Sequence, residues 1–88
     1  MMTKQEMIEE CLMKLRSFRR KMVANIVFGE NAYSAGYEYR KYLYILLLIE
    51  SGRNWSISDH EYDDRYWVKH PDELRKIYSK YLRDVERS

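Results

Sequence analysis

The sequence predicts an all-α fold, a bundle of three or four helices within one domain spanning residues 1–88. Three observations predict it. Only three Gly and one Pro leave few places for sharp turns, which favours long helices over many short strands. Apolar residues recur every three or four positions along most of the chain, the period of a helical face. Thr3 with Glu6, and Ser58 with Glu61, are each spaced as a capping box, a signature of helix starts. Hydrophobic residues at 45 % beside charged residues at 34 % suit a folded helical domain rather than a disordered chain.

The Thr3 box opens helix one. Ile8, Cys11, Leu12, Leu15, Phe18, Met22 and Ile26 mark its buried face. Glu6, Glu9 and Glu10 occupy its early turns, while Lys14, Arg16, Arg19, Arg20 and Lys21 occupy the later ones. That order suits the helix macrodipole, and Glu10–Lys14 adds an i,i+4 pair. The basic run reads more simply as a solvated face than as a groove-reading helix, and a net charge of +2 argues against a nucleic-acid partner. Helix one is expected to end near Gly29, and Glu30 to Gly36 reads as a loop.

Helix two is expected from about Ser34 or Tyr37 to Glu50, with Gly52 capping its end. It is the most apolar part of the chain and is predicted to lie innermost. Tyr42, Ile45, Leu46 and Ile49 form one stripe, and Tyr37, Tyr44 and Leu48 a second. A small domain has little to cover both, so the Tyr37–Tyr44–Leu48 face is expected to meet a second chain, either a copy or a target protein. Tyr33 and Trp55 are further candidates for that interface. Nine tyrosines support the expectation: Tyr42, Tyr78 and Tyr81 read as core, whereas Tyr33, Tyr37, Tyr39, Tyr44 and Tyr66 are less constrained.

After the polar loop Arg53–Ser56, the Ser58 box predicts helix three from Asp59 to about Lys69. It must stop near His70, because the residue before Pro71 disfavours the α region. Pro71 suits the first position of helix four, followed by Asp72 and Glu73 in its first turn. Leu74, Ile77, Tyr78, Tyr81, Leu82 and Val85 mark its buried face.

Placed on one helical turn, Asp59, Tyr62 and Asp63 would share a face able to read ribose hydroxyls and a cationic ring. Acids also suit a helix N-terminus for electrostatic reasons alone. Ile57-Ser58-Asp59, then Glu61-Tyr62-Asp63 and Tyr66, resembles the I-S-D-x-E-Y-D-x-L-Y signature of NAD-dependent DNA ligases. In that family the signature lies in the small helical domain (Ia) that closes over the nicotinamide mononucleotide half of NAD. The resemblance implies that Asp59, Tyr62, Asp63 and Tyr66 contact the nicotinamide nucleotide. His70-Pro71-Asp72-Glu73-Leu74 is similar to the family's H-P-E-L element. Arg65 stands where the family has Leu, Tyr44-Ile45 where it has Tyr-His, and the adenylation domain has no counterpart here.

No catalytic or metal site is expected. Cys11 lies on an apolar stripe without a base, and no metal-spacing motif or phosphate-cradling Gly-rich loop is present. His60 and Asp64 alone share i,i+4 spacing. One unpaired cysteine suits a reducing cytoplasm. Neither the opening residues nor the apolar run Tyr42–Ile49 reads as a signal or membrane segment. The expected function is a cofactor-free, non-catalytic binding module acting through a protein partner, as an inhibitor or adaptor. Its composition is similar to that of small phage and mobile-element proteins, including anti-defence inhibitors. The alternative is a module that binds nicotinamide mononucleotide or NAD.

Overall fold

The computed structural model describes residues 2–28, 32–52 and 62–86, with backbone alone at 24–28, 32 and 33. It contains four helices: α1 (Lys4–Phe28), α2 (Ala32–Glu50), α3 (Arg65–Lys69) and α4 (Pro71–Glu86). No strand occurs among the described residues. No helix among them is long and apolar enough to cross a membrane.

Both halves of the first capping box form. The Glu6 amide donates to Thr3 Oγ1 and the Thr3 amide donates to Glu6 Oε1, each at 3.2 Å. Cys11, Leu12 and Leu15 then bury one face of α1 against α2. The buried Cys11 thiol is pushed up to about 12, first by burial and then by the Glu10 charge, so it stays protonated.

Helix α2 begins at Ala32, inside the stretch expected to be loop. Gly36 therefore sits within the helix rather than in a turn. A Cβ there would stand 3.2 Å from Arg40 Nη1 and 3.8 Å from Met22 Sδ. The glycine costs helix propensity but leaves room for the Arg40 side chain one turn on, with Met22 of α1 at ordinary contact distance. At the other end, Gly52 adopts φ 80° and its amide donates to the Ile49 carbonyl at 3.1 Å, the expected cap.

The third helix is far shorter than its capping signal implied. Tyr62 and Asp63 precede it in non-helical backbone, and Asp64 occupies the N-cap position without a side-chain cap bond. Asp63 Oδ1 accepts the Arg65 amide at 3.0 Å, a local turn bond that competes with continuing helix. Ser58, Asp59 and His60 lie outside the described residues. His70 breaks the helix at φ −131° and ψ 58°, as its position before proline requires, and Pro71 opens α4.

Helix α2 packs against both α1 and α4, and supplies Tyr39, Leu43, Ile45, Leu46 and Ile49 to the shared core. Ile77, Tyr81 and Val85 of α4 and Trp67 of α3 complete it. Two tyrosine assignments change. Tyr39 is 8 % exposed, whereas Tyr78 is 40 % exposed, because it flanks the Ile77–Tyr81–Val85 line. Tyr42 is half-buried and stacks on Phe18 at 5.8 Å. Arg16 Nε donates to the Asp84 carbonyl at 2.7 Å and ties α4 to α1. Glu50 ties α4 to α2 by accepting from Lys80 Nζ at 2.6 Å and from the Tyr81 hydroxyl.

Candidate functional site

The face of α2 expected to meet a second chain is covered by this chain's own residues 62–67. Tyr37 lies 5.3 Å from the Tyr62 ring, and its hydroxyl donates to the Tyr62 carbonyl at 3.2 Å. Tyr44 lies 5.5 Å from Tyr62, 4.6 Å from Tyr66 and 6.0 Å from Trp67. Leu48 is 4 % exposed. Leu48 is therefore buried, and Tyr37 and Tyr44 are half-buried against this chain's own residues, so much of the face expected to meet a second chain is already in contact within one chain. The reason is a return of the chain: two apolar stripes on α2 require two covers, and the segment before α4 supplies the second. The Tyr33 side chain and Trp55 lie outside the described residues.

That cover is held by polar bonds at its edges. Arg40 grips Asp64 through two hydrogen bonds, and the Tyr62 hydroxyl donates to the same carboxylate. Hydrogen bonding from Arg40, with help from Tyr62, holds Asp64 below its ordinary value against the opposing cost of burial. Burial, then Asp64, pushes the Tyr62 phenol upward, so it remains neutral. Trp67, 5 % exposed, donates its indole N–H to the Arg40 carbonyl at 3.2 Å. Tyr66 donates to Glu73, and its ring lies 4.4 Å from that of His70.

Of the expected nicotinamide-reading residues, Tyr62, Asp63 and Tyr66 are described. Tyr62 and Tyr66 turn inward onto α2, with their hydroxyls committed to Asp64 and Glu73. Asp63 is exposed and clasped by the Arg65 guanidinium, with Nη2 to Oδ2 at 2.7 Å. Asp59 lies outside the described residues. Tyr62 and Asp63 are successive positions of the non-helical backbone that leads into α3. The described part of the motif thus builds a clasp.

An open surface lies elsewhere, in a groove between α2 and α4. Tyr39, Leu43, Leu74 and Tyr78 line it, with Arg40 and Arg75 at its edge. Its volume is about 280 Å³. That is below the roughly 300–1,000 Å³ of sites that enclose drug-sized ligands, and suits one or two apolar side chains better than a dinucleotide. Arg40 is engaged by Asp64, whereas Arg75 is exposed and forms no ion pair among the described residues. A sequence signal for the groove exists in the i,i+4 pair Leu74–Tyr78, which widens the apolar sector of α4 beyond a single core line.

Fold and groove together define a small all-α protein with an apolar groove between two helices. No protein-family model, curated protein or solved structure matches the chain.

Proposed function

We propose that this protein is a non-catalytic binding module that docks on a larger protein, as an inhibitor or adaptor does. The observation that supports this reading most is the α2–α4 groove with Tyr78 exposed at its lip and Arg75 beside it. Tyrosine and arginine are the residue types that concentrate binding energy at protein interfaces. The groove admits an apolar anchor side chain, and Arg75 favours a carboxylate next to that anchor. The lone cysteine, buried and protonated, supports action in a reducing cytoplasm. A phage or mobile-element inhibitor with an anti-defence role is the specific form of this reading that the composition suits.

A photo-crosslinking amino acid at position 78, used in native host cells, identifies the partner. The purified pair is then compared by calorimetry with Tyr78→Glu and Arg75→Glu. At least a tenfold loss of affinity is expected for each, about 1.4 kcal/mol, with helicity unchanged. Undiminished affinity in both variants would remove the groove from the interface. Micromolar binding of nicotinamide mononucleotide, abolished by Asp63→Ala, would favour the nucleotide-binding alternative instead.

A further inference from the structure

Exposed methionines lie just before α1 and on its outer face, where charges are segregated along the helix. Met2 and Met13 border a shallow depression shared with Gln5, Glu6, Glu9 and Glu10, and Met13 is 64 % exposed. At 3.6 residues per turn, Glu6, Glu9, Met13, Arg16 and Arg20 occupy a sector about 80° wide. It lies opposite the Cys11–Leu15 line that meets α2. Within that sector both acids precede Met13 and both cations follow it. The face is therefore complementary to itself when turned end for end, whereas a parallel copy would oppose like charges.

An antiparallel copy with its two-fold axis at Met13 sets Glu6 against the second copy's Arg20, each seven residues from the axis. It also sets Glu9, four residues before Met13, against the second copy's Arg16, three residues after it. Within one chain Glu6, Glu9 and Arg20 are lightly engaged. Glu6 accepts from the Thr3 amide at 3.2 Å, Glu9 accepts from the Gln5 side chain at 3.0 Å, and Arg20 Nε reaches the Arg16 carbonyl at 3.4 Å. Arg16 is half-buried and its Nε donates to the Asp84 carbonyl at 2.7 Å, so its pairing across the axis would use the Nη atoms. We infer that this face of α1 is an isologous interface between two copies of the chain, with Met13 meeting itself on the axis. The inference is independent of the α2–α4 groove.

Light scattering on the full chain tests it, at high protein concentration and low ionic strength, where exposed ion pairs are least screened. The expected result is a mass of two chains that falls toward one as salt is added. Arg20→Glu and Glu6→Arg are each expected to give one-chain mass, and the double reversal to restore the dimer. Because Glu6 also belongs to the helix cap, Arg20→Glu is the cleaner single variant. Met13→Cys provides a geometric readout. Facing Cα atoms on helices 8–10 Å apart stand roughly 5 Å from each other, within disulfide range. Mild oxidation should therefore link Met13→Cys into dimers much faster than the exposed control Val23→Cys, whose two copies would lie roughly 30 Å apart. One-chain mass for the unaltered protein at every salt concentration overturns the inference. So does equal crosslinking at positions 13 and 23, or failure of the double reversal to recover the dimer.

Discussion

Arg40 of α2 and Asp64 at the start of α3 form a two-point ion pair, Nε to Oδ1 at 2.8 Å and Nη2 to Oδ2 at 2.6 Å. The fork geometry fixes where the chain crosses α2, and so which residues cover Tyr37 and Tyr44. Both side chains are about one-third exposed, so solvent weakens the attraction and the pair contributes on the order of 1 kcal/mol. Asp64→Asn should cost about that much at neutral pH. Because the folded carboxyl lies below its ordinary value of 3.8, its contribution is fully present above that value. It disappears as pH falls through the lower folded value. Urea titrations of both proteins at neutral and strongly acidic pH check this: the stability gap should close in acid, and a constant gap would refute the assignment.

The aromatic cover makes a second prediction with a definite sign. Tyr44→Glu combined with Leu48→Glu places two charges among Tyr62, Tyr66, Trp67 and the buried face of α2. Burying unpaired carboxylates costs several kcal/mol, a large part of a small domain's stability. The double variant is expected to lose its cooperative thermal transition in circular dichroism. A folded double variant would show that this face is surface after all.

Leu15 and Leu46 are both fully buried, one on each side of the α1–α2 contact. Truncating either to alanine removes packed methyl groups and leaves a cavity, at about 2–5 kcal/mol each. Denaturant midpoints provide the measurement. A loss under about half a kilocalorie at both sites would fall outside the range for core truncation and contradict the packing.

Gly52 is the residue whose backbone most requires glycine, because its φ of 80° lies in the left-handed region. No atom would crowd an added Cβ there, so the penalty of Gly52→Ala comes from the backbone alone. About 1–2 kcal/mol of destabilisation is expected, read as a lower melting temperature with unchanged helicity. A neutral effect would mean that the cap relaxes out of that conformation.

Much of the fold was legible locally. The Thr3–Glu6 box, the Cys11–Leu12–Leu15 face, the Gly52 cap, the break at His70 and the start at Pro71 depend on neighbours within a turn or two. Each is found where that local chemistry put it. The α2–α4 groove was harder to see, because it needs Tyr39 and Leu43 on one helix beside Leu74 and Tyr78 on another. No spacing along a single helix encodes that juxtaposition.

Sequence by itself determined the helical class, the apolar faces of α1 and α4, and the two-sided apolar character of α2. Tertiary structure decided what covers each side of α2. Tyr62 reads locally as part of a helical turn with its acidic neighbours, yet it lies on Tyr37 and Tyr44 while Asp64 is gripped by Arg40. The physical reason is one of scale. A capping signal is worth about 1 kcal/mol, whereas burying several aromatic rings and satisfying a two-point ion pair contributes more than that together. Contacts between residues far apart in sequence therefore outweigh the local preference at Tyr62 and Asp63, and fasten this segment over α2 as a clasp.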